Sequence, residues 1–110
     1  MKERKGKMIT AKEAKKQTNQ VQHQLKEKAV KWVEDEWKFI DDKIKETISK
    51  GLYETSYWWS NELLEEADIH KDYAAEALAE KAYSLGFVQK VWKNYSNQSV
   101  LRIEVRWERV

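Results

Sequence analysis

Between Ile9 and Ile48 the chain runs for forty positions without proline or glycine, and its apolar side chains recur in steps of three and four. Val21, Leu25, Ala29, Val33, Trp37, Ile40, Ile44 and Ile48 fall on one stripe, which is the period of an amphipathic helix. Thr10 followed by Glu13 has the spacing of a capping box, in which hydroxyl and carboxylate satisfy each other's backbone donors. A helix over 11–50 is predicted, stopped by Gly51 in the left-handed conformation. Glu27 with Lys31, Glu34 with Lys38 and Asp41 with Lys45 are four apart with the acid first, the favourable order for exposed pairs. Only Gln17 to Gln24 weakens the pattern, because Val21 is the sole apolar residue there, and a break or frayed arm is expected at 17–24 if anywhere.

After Gly51 the period changes. Residues 52–59 have the aromatic and β-preferring content of a strand. Ser60 or Asn61 can cap a short acidic turn, and Asp68 is placed to cap a second helix over 69–85. That helix would bury Ile69, Tyr73, Ala74, Ala77, Leu78 and Leu85 and end at Gly86. Strands are predicted over 87–92 and 100–107, joined by the polar turn Asn94 to Ser99. In the last strand Leu101, Ile103, Val105 and Trp107 face one way, and Arg102, Glu104, Arg106 and Glu108 the other. The expected fold class is α+β: a long N-terminal helix, then strand, helix, strand, strand, forming a small sheet with helices on one face. Were the first two strands parallel neighbours, their crossover would be right-handed. Residues 1–9 read as a basic extension and 10–110 as one domain, since 110 residues suffice for one core.

Two features exceed what a solitary globule of this size accommodates. A forty-residue helix is about 60 Å long, whereas a compact chain of this length is roughly 35 Å across. Such a helix must break, project or meet a partner chain. Trp58 and Trp59 are adjacent in a predicted strand, so their indoles point to opposite faces and cannot both enter a one-sided core. Trp32 and Trp37 lie roughly 140° apart around the helix, so one of them leaves the main stripe. A shared surface built from Trp58, Trp59 and Trp32 is therefore expected, with Arg102 and Arg106 as cations beside it. Aromatic faces next to cationic side chains also suit base stacking.

Charge sharpens this picture. The formal net charge of +2 divides into +7 over residues 1–31, −9 over 32–80 and +4 over 81–110. A basic head of this kind meets either a polyanion or the acidic middle of a second copy. For nucleic acid the candidates are Lys2, Arg4, Lys5, Lys7, Lys12, Lys15 and Lys16. No apolar run approaches the ~20 residues that span a bilayer, and the basic start is not followed by the apolar stretch of a secretory signal. Together with the absence of cysteine, this leads to an expected cytoplasmic location without membrane contact.

Candidate chemistry is sparse. His70 has Glu65, Glu66, Asp68 and Asp72 around it in sequence, which could gather a divalent metal, yet carboxylates about a helix start are ordinary complements of its dipole. His23 reads as a solvated side chain. The three glycines stand alone at 6, 51 and 86, so a phosphate-cradling loop is excluded, and no serine sits in a nucleophile elbow. The chain is expected to be non-enzymatic, with no catalytic residue, metal or cofactor.

Taken together, the opening Met8 to Lys15, the helix end Ile48 to Gly51, the segment Tyr83 to Phe87 and the Trp-bearing final strand Leu101 to Trp107 resemble small accessory proteins of tailed bacteriophages and prophages. The resemblance implies a viral protein acting in the bacterial host cytoplasm and brings no functional residues with it. The many tryptophans depart from that pattern. The expectation is a self-associating, homo-oligomeric binding protein that occupies a host target, either a host protein or a nucleotide signal of a defence system. A nucleic-acid-binding protein using the basic N-terminal segment, and a structural or assembly protein of a virion, are the alternatives.

Overall fold

The computed structural model describes residues 8–94 and 99–108, with backbone only at 99 and 100. Helix α1 spans Ala11–Ser49, strand β1 Glu54–Ser60, helix α2 Asn61–Ala67, helix α3 Lys71–Ser84, strand β2 Val88–Lys93 and strand β3 Ser99–Arg106. The expected α+β architecture is present, with one helix more than the sequence suggests, because the acidic turn after Ser60 closes into α2. Lys2, Arg4, Lys5 and Lys7 lie outside the described residues.

α1 opens on the expected capping box. The Thr10 hydroxyl accepts from the Glu13 backbone N–H at 3.1 Å, and the Glu13 carboxylate accepts from the Thr10 N–H at 3.2 Å. The helix then runs unbroken through residues 17–24. Continuity needs no local apolar content there, since adding residues to an existing helix avoids the cost of nucleation. Ala29, Val33, Trp37, Ile40 and Ile44 are buried as the stripe predicts, but at its end Thr47 is buried and Ile48 is exposed. The Thr47 hydroxyl is accommodated by donating to the Lys43 carbonyl at 2.7 Å. Asp41 pairs with Lys45 at 2.9 Å as expected, while Glu34 turns to Lys81 of α3 at 3.0 Å.

All three helices stop in the same way. The residue beyond the end adopts positive φ, and the following N–H reaches back to a carbonyl in the last turn. Gly51 (φ 75°) and Gly86 (φ 87°) do this for α1 and α3, with Leu52 N–H bonding Thr47 O at 3.2 Å and Phe87 N–H bonding Ala82 O at 3.0 Å. For α2 the residue is Asp68, at φ 57° and ψ 47°. Asp68 is thus the end of α2 and not the cap of the next helix as its identity suggests. That role falls to His70, whose Nδ1 accepts from the Asp72 backbone N–H at 3.3 Å, and α3 accordingly starts at Lys71. No heavy atom lies within 4 Å of where a Cβ on Gly86 would stand. Gly86→Ala should therefore lose stability through the backbone alone, about 1 kcal/mol, with Gly86→Asn losing less, read from urea midpoints.

The sheet order is β1-β3-β2 with both pairings antiparallel. β1 and β2 are not neighbours; the last strand inserts between them, so no direct crossover between adjacent parallel strands arises. α1 and α3 pack on each other, α1 on β1, and α3 on β2 and β3. The core lies between this helical layer and the inward sheet face, where Trp59, Leu101, Ile103 and Val105 are buried. Central β3 supplies three of those four, as expected for the one strand covered on both edges. α3 brings Ala74, Ala75, Ala77 and Ala82 inward, small residues that let it approach its neighbours closely, together with Leu78, and Leu85 just past its end is exposed.

The molecule measures 68 × 27 × 22 Å with a radius of gyration of 18.5 Å, against about 13 Å for a compact chain of this length. The excess is α1. Residues 11–24 are exposed apart from half-buried Ala14, and the first ties to the globule are Lys26 to Glu76 at 3.9 Å and Lys28 to Asp68 at 2.8 Å. An arm of roughly 20 Å precedes the packed part of the helix.

Candidate binding surfaces

The antiparallel register sets side chains in rows across the sheet. On the face away from the helices, Trp58 lies opposite Arg102, which lies opposite Trp92 on its other side. The next rows are Ser56, Glu104, Lys90 and then Glu54, Arg106, Val88. In the first row the Arg102 guanidinium sits 4.7 Å from the Trp92 ring centre, and the Lys90 ammonium reaches the same ring at 5.0 Å. These are favourable cation–π distances. Arg106 is engaged by Glu54 at 3.1 Å. Trp58 is 58% exposed, and among the described residues no ring or cation lies over it. Leaving that much indole in water forgoes on the order of 3 kcal/mol of burial.

The opposite fate of Trp59 follows from strand alternation. It is 1% exposed, packs at 5.4 Å against Trp32 and 5.0 Å against Tyr57, and donates its indole N–H to Glu36 Oε1 at 2.7 Å. Burial, and then the Glu36 carboxylate, hold the Tyr57 phenol above its usual pKa. The five residues expected to form one surface are thus divided. Trp58, Arg102 and Arg106 share the outer sheet face, whereas Trp59 and Trp32 belong to the inner packing between β1 and α1. Trp92, which sequence reasoning did not include, completes the outer row. Its place follows only from the register, since it and Trp58 are both partners of Arg102.

A second surface is the arm. Ala11, Ala14, Thr18, Val21 and Leu25 recur at alternating steps of three and four along it, in phase with Trp32, and Ile9, Ala14, Val21 and Leu25 line one shallow depression. Lys12, Lys15 and Lys16 lie on a different side, within one turn of each other. Lys28, where the arm enters the globule, donates to Asp68 and holds that carboxyl below its usual pKa, first through the hydrogen bond and then through its charge.

His70 and its acidic neighbours do not converge. The imidazole caps α3 and packs 5.2 Å from the Tyr73 ring, and among the described residues no group of three or more His, Asp or Glu side chains could hold a metal ion. Among the same residues, no helix is long and apolar enough to cross a membrane. No family model, curated protein or solved structure matches the chain.

Proposed function

We propose that the chain is a non-enzymatic binding protein that self-associates through the projecting part of α1 and works by occupying a target. The observation that carries this reading is the arm. Its fourteen residues extend the packed part of α1 and hold a row of Ala, Thr, Val and Leu side chains with heptad-like spacing clear of their own globule. A second copy supplies a matching occupant. The basic N-terminal third, at +7, complements the acidic middle, at −9, and a two-fold arrangement uses that complementarity twice. The resemblance to phage accessory proteins supports a setting in a bacterial cytoplasm, with a host protein or a nucleotide signal of a defence system as the target.

Sedimentation velocity at about tens of micromolar tests the association. The expected species is larger than the 13.2 kDa monomer, dissociates as salt screens the charges, and reverts to monomer in Val21→Asp. Since Val21 is half exposed and outside the buried core, that variant should keep its stability within about 0.5 kcal/mol. A wild-type chain that sediments as a monomer refutes the reading. Lys12, Lys15 and Lys16 on one side of the arm favour a second reading, in which the basic segment binds nucleic acid and the remainder serves as its body.

A further inference from the structure

We infer that the outer sheet face binds single-stranded nucleic acid, stacking unpaired bases on the row Trp58, Arg102 and Trp92. This rests on the reading of the chain as a binding protein but not on its self-association. The row joins the two elements that sequence-tolerant recognition of a strand requires, aromatic faces and cations beside them. Trp58 offers an open indole face. Arg102, held at 4.7 Å on Trp92, presents a planar guanidinium that can stack on a base while its N–H groups reach a phosphate. Lys90, whose ammonium lies 5.0 Å from the centre of the same ring, supplies a second positive charge.

The geometry also selects among ligands that carry a base and a phosphate. In the row itself Trp58 and Arg102 are exposed, as is Lys90 beside them, so it presents an open face; the shallow depression lined by Glu54, Val88 and Arg106 lies two rows away. A free nucleotide needs a concave site that buries most of its area, so a nucleotide signal would be held elsewhere than on this face. A strand instead gathers affinity from several bases laid along an open sheet. Duplex DNA hides its base faces in the stack and has nothing to offer the indoles.

The test is fluorescence anisotropy of a labelled oligothymidylate at low salt, with adenosine monophosphate and a duplex of equal length as competitors. Expected is saturable binding of the single strand, competed poorly by both. Trp58→Ala should weaken it roughly 5- to 150-fold, the range for loss of one stacked base. Arg102→Lys should weaken it less than Trp58→Ala. With only Arg102 and Lys90 meeting phosphates, log affinity should fall against log salt with a slope of about −1.4. Trp58 is exposed, so its variant should retain the wild-type circular dichroism; Trp58→Phe, which keeps an aromatic face, should recover part of the affinity. The inference is overturned by no binding at low salt, by equal competition from duplex or mononucleotide, or by unchanged affinity in both Trp58→Ala and Trp92→Ala. The last of these places the contact on the arm lysines. None of these outcomes depends on the sedimentation result, so self-association and strand binding succeed or fail separately.

Discussion

Trp59→Ala is expected to lose about 3–5 kcal/mol of unfolding free energy, the range for truncating a buried aromatic side chain. Domains of this size are stable by only about 5–15 kcal/mol, so the variant should stand at the edge of folding. Two losses combine. The cavity opens beside Trp32 and Tyr57, which rest on the indole at 5.4 and 5.0 Å. The half-buried Glu36 carboxylate also loses the N–H that it accepts at 2.7 Å. Trp58→Ala, one position away and chemically identical, should cost about 1 kcal/mol or less, because more than half of that side chain is already in water. Paired urea titrations measure the contrast through the midpoints at constant slope. Equal losses in the two variants would mean that β1 does not present these faces.

Ala82→Leu is expected to cost about 1–3 kcal/mol, the usual penalty for forcing methyl groups into a filled interior. Ala82 has no exposed surface and lies on α3, which is pressed between α1 and the strands β2 and β3. Helix propensity changes little between alanine and leucine, so the loss reports space alone. Each kcal/mol moves the thermal midpoint by about 4–8 °C in domains near this length, which calorimetry resolves easily. Tyr83→Leu is the control: Tyr83 is 79% exposed, and its replacement should leave the midpoint within a few degrees of wild type. An unshifted midpoint for Ala82→Leu would show that α3 has room to move.

The parts of the fold that depend on near neighbours in sequence are legible without coordinates. Thr10 with Glu13, Gly51, Gly86 and the alternation from Leu101 to Trp107 each act through contacts a few residues apart, and each stands where the pattern puts it. Asp68 shows how this reasoning fails. Aspartate suits either a helix start or a left-handed helix end, and here its carboxylate is engaged by Lys28, forty residues away on α1, at 2.8 Å, while Ile69 N–H closes α2 on the Leu64 carbonyl. Thr47 displaced Ile48 at the end of the stripe for a related reason, since its hydroxyl finds a carbonyl within its own helix and needs nothing from the core. The binding face was half visible. Trp58, Arg102 and Arg106 follow from alternation within one strand, but Trp92 joins them only because β3 lies between β1 and β2. Strand order is a long-range property on which local periodicity is silent. Trp59 and Trp32 went inward together because the helix crosses β1 at that point, which is equally non-local.

The adjacency of Trp58 and Trp59 bears on how β1 finds its place. Sliding a strand by one residue exchanges its two faces, and ordinarily the mismatch of apolar and polar residues forbids it. Here the exchange would swap one tryptophan for another, so hydrophobic sorting at the heaviest pair of side chains barely distinguishes the correct alignment from its neighbour. What breaks the tie lies earlier in the strand: the slip would turn Ser56 inward in place of Tyr57 and Glu54 in place of Thr55, and so set a carboxylate against the packed face. The alignment of β1 thus rests on the modest residues that precede its two largest side chains, and least on those side chains themselves.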